Sequence, residues 1–102
     1  MESNDFLQME GCKVALVLDD KDNVAVVLAD VGIGEPCRIR GRGAEYDIPA
    51  VETVPFGHKM ALAAIKEGEA IYKYGEEIGV ARTAIPQGGW IHSHNLYCAR
   101  GM

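Results

Sequence analysis

CKVALVLDDKDNVAVVL, residues 12–28, is the stretch that decides the fold class. Cys12 to Leu18 and Asn23 to Leu28 are Val-rich apolar runs, and β-branched residues suit a half-buried pleated surface. Asp19-Asp20-Lys21-Asp22 between them is a turn-forming cluster, so the segment reads as a β-hairpin. Working outward from it, short strands dominate. Gly32, Gly34 and Pro36 make a loop. Arg38-Ile39-Arg40-Gly41-Arg42 then reads as a strand with its three arginines on one face. Asp47 to Val54 is a further short strand, with Pro49 marking an edge or an irregularity. Ala70 to Tyr74 and Ile78 to Ala81 flank a turn at Gly75-Glu76-Glu77. Pro86 to Gly89 is a turn into a last strand, Trp90 to Leu96.

One segment departs from this pattern. GHKMALAAIK, residues 57–66, is rich in good helix formers, with Met60, Ala61, Ala64 and Ile65 at helical spacing. Pro55 precedes it and Gly68 follows, which suits a short helix with a glycine stop. The reading is a compact, strongly bent, mostly β domain with one short helix near residues 57–66, and with no internal repeats and no low-complexity linker. Residues 1–10 are polar and expected to be flexible; residues 11–102 form a single domain.

Composition bounds the function. Ten Lys and Arg against fifteen Asp and Glu give a formal net charge of −5, which argues against a nucleic-acid or anionic-membrane partner. No apolar run approaches the roughly 18 residues of a membrane span. The acidic N-terminus MESNDFLQMEG lacks the layout of a signal peptide, so a cytoplasmic protein is expected. Cys12, Cys37 and Cys98 are far apart and form no CxxC pair, and they read as thiols packed as small hydrophobes. A G-x-S-x-G elbow, a P-loop and a G-x-G-x-x-G helix start are all missing.

Three places carry residues suited to chemistry. In IPQGGWIHSHNL, residues 85–96, His92 and His94 lie at i and i+2. On a strand Trp90, His92, His94 and Leu96 share one face, and two imidazoles there can anchor a divalent metal or an anion. The plainer alternative is two half-exposed histidines bonded to backbone. In Phe56-Gly57-His58-Lys59, a helix start would present unpaired N–H groups to a carboxylate or phosphate, with Lys59 adding a full charge; the alternative is a simple turn with a solvated lysine. The Arg38, Arg40, Arg42 row could bind carboxylates bidentately or be a solvated strand face. Tyr72-Lys73-Tyr74-Gly75 reads as structural.

The run from Val54 to Asn95 also resembles a family. Pro55, Gly57-His58-Lys59, Ile65, Gly68-Glu69, Lys73-Tyr74-Gly75, Ile78-Gly79, Ala81, and Gly88 with Trp90, His92, His94 and Asn95 match the pattern of the SAF-type domain of altronate and galactarate dehydratases, to which the small subunit of sulfolactate sulfo-lyase is related. The resemblance implies a β-clip fold like that of antifreeze-like domains. It implies the small subunit of a sugar-acid dehydratase, inactive alone and completed by a large catalytic subunit that supplies the general base. Gly57, His58, Lys59 and Asn95 are then expected at the substrate, and His92 and His94 at a shared divalent metal, iron or manganese. A sulfolactate sulfo-lyase small subunit is the alternative within the class; a stand-alone carbohydrate- or anion-binding module is the alternative outside it.

Overall fold

The computed structural model describes residues 13–98, so the flexible segment expected over residues 1–10, and Cys12, lie outside the described residues. Nine strands and no helix are described: β1 (Lys13–Leu16), β2 (Val24–Val27), β3 (Pro36–Gly41), β4 (Ala44–Pro49), β5 (Lys59–Ala61), β6 (Ala70–Lys73), β7 (Glu76–Ala81), β8 (Trp90–Ile91) and β9 (Leu96–Tyr97). They form a six-stranded sheet in the order β4-β3-β1-β2-β5-β8 and a three-stranded sheet in the order β6-β7-β9. The expected hairpin is present: β1 pairs antiparallel with β2, Ala15 opposite Val27. The Asp19–Asp22 turn does more than reverse the chain. Asp22 accepts the Gly75 N–H at 2.8 Å, and Asn23 accepts the Tyr72 N–H and donates to the Ala70 carbonyl, so this turn holds the smaller sheet against the larger.

A unit repeated four times underlies both sheets, which corrects the expectation of no internal repeats. Each unit runs from a buried residue at or just after a strand end, four residues on to a buried Val or Ile, then three more to a turn glycine. The copies are Val27–Val31–Gly34, Ala50–Val54–Gly57, Ala61–Ile65–Gly68 and Ala81–Ile85–Gly88. The four glycines have φ of 84°, 82°, 85° and 84°. Each is third in a turn closed by a backbone bond of 2.9–3.0 Å, Glu35 to Gly32, His58 to Pro55, Glu69 to Lys66 and Gly89 to Pro86. That is the type II arrangement, which needs a residue tolerant of positive φ at this position.

The units associate as two pairs. Val31 and Val54 exchange backbone bonds of 2.9 and 2.8 Å, and Ile65 and Ile85 exchange two of 2.8 Å. Within each pair the turn glycines bond the other unit's first residue: Gly34 to Ala50 and Gly57 to Val27, Gly68 to Ala81 and Gly88 to Ala61. Each pair sits over its own core. Val31 and Val54 belong to one cluster with Ile39, Ile48 and Met60; Ile65 and Ile85 belong to a second with Ile71 and Ile91. Strands β2 and β5 divide the two, with Ala25, Val27 and Met60 facing the first and Val24 and Ala61 the second. Each of the four bridging residues is at most 2% exposed. Burying such a side chain stabilises by about 1.5–3 kcal/mol, so neither pair of turns is held by its backbone bonds alone.

This repeat explains why no helix forms at 57–66. Met60 and Ala61 are strand residues buried on opposite faces of β5, which lies between β2 and β8. The four-residue step from Ala61 to Ile65, which matches a helical stripe, is the same step as Val27 to Val31, Ala50 to Val54 and Ala81 to Ile85. Gly57 and Gly68 flank the segment as turn residues of two units. Tertiary pairing overrides local helix propensity here.

Candidate functional site

The last segment departs from the expected strand over Trp90–Leu96. β8 stops at Ile91, and residues 92–95 turn before β9. Asn95 makes the turn. It is 5% exposed, its Oδ1 accepts the His92 N–H at 2.9 Å, and its Nδ2 donates to the Trp90 carbonyl at 2.9 Å. The His92 carbonyl also accepts the N–H groups of Asn95 and Leu96, both at 3.0 Å. Asn and Asp side chains favour such local bonds over a strand ladder. The amide of Asn95, expected at the substrate, is spent on shaping the turn.

The turn nevertheless gathers the expected histidines, because Trp90 acts as their common surface. The His92 ring stacks on the indole, centroids 5.6 Å apart and planes 8° apart. His94 packs against the indole at 5.0 Å. His58 lies 5.7 Å from the indole and 4.7 Å from His92, and the indole Nε1–H donates to its Nδ1 at 3.0 Å. No helix start exists at Phe56–Lys59. Gly57 is the turn glycine of the second unit, His58 closes that turn, and Lys59 opens β5 directly opposite Ile91. The structure therefore brings His58, His92 and His94 together around Trp90, and Lys59, next in the chain after His58, is near enough for its charge to be felt at His92. Gly57 contributes the turn.

The electrostatics of this cluster are cationic. Burial, then the like charge of Lys73, lowers the Lys59 ammonium from its usual range. Lys59 forms no ion pair among the described residues, whereas Lys13, Arg38, Arg40 and Arg42 all do. Desolvation, then the charges of His58, Lys59 and His94, lower His92 as well. A half-buried ammonium near these imidazoles, with no carboxylate paired to it among the described residues, is suited to an anion.

The other candidates resolve plainly. Arg38 pairs with Asp47 and Arg40 with Glu45, each directly across β3–β4, and Arg42 leaves the row at a tight turn (φ 57°) to reach Asp20. Cys37 is buried as expected, but Cys98 is exposed. Among the described residues no group of three His, Cys, Asp or Glu could hold a metal ion. With the Nδ1 of His58 engaged by the indole, His92 and His94 offer two imidazoles, too few to complete a metal site. Among the described residues no helix is long and apolar enough to cross a membrane.

Comparison with known proteins agrees with this architecture. Residues 13–99 match the family described as the altronate/galactarate dehydratase SAF domain. The chain is 43% identical over 72 residues to galactarate dehydratase (L-threo-forming) of Escherichia coli strain K12, covering 71% of this chain and 13% of that protein. It is 37% identical over 83 residues to altronate dehydratase of Bacillus subtilis strain 168, covering 81% and 16%. Against the (2R)-sulfolactate sulfo-lyase subunit alpha of Paracoccus pantotrophus it is 36% identical over 64 residues, covering 63% of this chain and 96% of that subunit. The chain thus spans under a fifth of the two dehydratases and nearly all of the sulfo-lyase subunit. It belongs to the altronate/galactarate dehydratase SAF domain family.

Proposed function

We propose that this chain is the small subunit of a lyase that removes water from a sugar acid, such as altronate, and that it supplies the anion-binding wall of a site completed by a large catalytic subunit. One observation carries the reading: Lys59 is half-buried, forms no ion pair among the described residues, and is near enough to His92 for its charge to lower that ring. A proton next to a carboxylate is too weakly acidic to leave unaided. A cation held on that carboxylate stabilises the enolate-like transition state, and does so best in a water-poor site. Lys59 binds the carboxylate, and the imidazoles of His58 and His92 contact its neighbouring oxygens. The general base comes from the large subunit. A divalent metal at His92 and His94 takes its remaining ligands from that subunit, and no step here depends on it.

A second feature supports a partner. The two unit pairs are alike in backbone but not in surface. Ile33 and Phe56, at the turn tips of the first pair, are 72% and 64% exposed, and Leu28 and Val51, each next after its unit's first residue, are exposed too. The equivalent residues of the second pair are Glu67 and Gln87, and Leu62 and Arg82. Phe56 lies in the same turn as His58, so the apolar end adjoins the cationic cluster. A covering subunit accounts for that asymmetry. The near-complete coverage of the sulfo-lyase subunit favours one further reading, in which the same wall serves elimination of sulfite from sulfolactate. The test is reconstitution with the large lyase subunit. Turnover of a sugar acid or of sulfolactate that requires this chain supports the reading. Tight sugar-acid binding by the chain alone, with no effect on any lyase, points instead to a stand-alone binding module.

A further inference from the structure

Trp90 is held more firmly than an anion-binding wall requires. Its backbone N–H donates to the Glu52 carboxylate at 3.0 Å and its carbonyl accepts from the Asn95 amide at 2.9 Å. Its indole N–H reaches Nδ1 of His58 at 3.0 Å. An indole nitrogen only donates, so Nδ1 of His58 must offer a lone pair. A neutral imidazole has one N–H, which leaves it on Nε2.

We propose that Trp90 fixes His58 as its Nε2–H tautomer, which makes His58 a hydrogen-bond donor to a ligand oxygen and keeps it out of any metal's ligand set. Trp90 is a positioning residue in this scheme. To bind a metal through Nε2, His58 would have to move its proton to Nδ1, against the indole N–H, where two donors would face each other. A carboxylate or hydroxyl oxygen needs no such exchange. His58 and Lys59, consecutive in the chain, then offer one neutral and one charged donor to the same class of ligand. The ligand class rests on the proposed function; the tautomer stands on the Trp90 contact alone.

Two-bond proton–nitrogen correlation spectra of the 15N-labelled chain, recorded at alkaline pH, read the tautomer directly. The expected pattern is a lone-pair Nδ1 and a protonated Nε2 at His58, with the minor tautomer at less than about one-tenth. Trp90→Phe keeps a ring for stacking but removes the N–H, and His58 should relax to a mixture. An Nδ1–H or averaged His58 in the unsubstituted chain overturns the donor assignment and leaves Lys59 as the carboxylate anchor. So does a His58 that coordinates added Zn2+ through Nε2. If the tautomer is as expected but a sugar acid leaves the His58 Nε2–H and Lys59 signals unmoved in the assembled complex, the donor role falls together with the proposed function.

Discussion

Replacing Asn95 with alanine separates a turn-building role from a ligand-binding one. The side chain is 5% exposed and both of its amide atoms bond backbone within its own turn, at 2.9 Å each. Asn95→Ala removes both bonds. Each intramolecular bond contributes about 1 kcal/mol net, and a buried group left without a partner costs about 1–3 kcal/mol. Some of the freed groups will reach water at this exposed turn, so the expected loss is about 2–3 kcal/mol. For a domain of this size that lowers the melting temperature by about 10–20 °C. Urea unfolding followed by tryptophan fluorescence measures the loss, since Trp90 is the only tryptophan. His92 and His94 should also lose their contact with the indole in NMR spectra of the variant. A loss below about 0.5 kcal/mol with the ring contacts intact would rule out a turn-building role and return Asn95 to the ligand.

Three further outcomes follow from the same geometry. Gly57→Ala and Gly88→Ala change residues of nearly the same φ, yet a Cβ at Gly57 meets nothing within 4 Å, while one at Gly88 would lie 2.3 Å from the Pro49 carbonyl oxygen. Urea titration should show a loss of about 1 kcal/mol for the first, the ordinary penalty of a left-handed residue, and about 2–4 kcal/mol for the second, where overpacking adds to it. His92 is held below its ordinary value, so the unfolded chain takes up that proton more readily. The neutral ring's contribution to stability is therefore present above a pH of about 6.5 and lost as pH falls through the depressed value. In an NMR titration His92 should titrate below its midpoint in the urea-unfolded chain, and an added carboxylate ligand should raise it. Ile33→Asp and Phe56→Asp alter exposed turn tips and should leave stability within about 0.5 kcal/mol, yet weaken association with the large subunit in sedimentation; Glu67→Ala should do neither.

Much of the architecture was legible because strand signals are local. The Val-rich runs on either side of Asp19–Asp22 could pair only as a hairpin, and the alternating arginines marked β3, although their acidic partners lay on other segments. The helix reading failed at 57–66 because Met60, Ala61 and Ile65 fit a period near 3.6 as well as they fit a strand followed by a turn. The signal that separates the two was present: a buried residue, a Val or Ile four on, and a glycine three beyond, repeated at 27, 50, 61 and 81. It was hard to see because the copies are unevenly spaced and share only three positions. The site was half legible. His58, His92 and His94 come together, but through a turn that Asn95 builds and an indole that contacts all three rings. Strand alternation alone would have brought His92 and His94 together without His58.

Lys59 and the imidazoles near it are proposed to hold the carboxylate of a substrate acted on jointly with a large subunit. Steady-state turnover of the reconstituted enzyme carrying Lys59→Met, with sedimentation run alongside, tests it most directly. With Lys59 holding the carboxylate, kcat/KM should fall about 100-fold or more, as when one preorganised charge-stabilising donor is removed, while the subunits still associate. Turnover within a few-fold of the unsubstituted enzyme, with association intact, would contradict it.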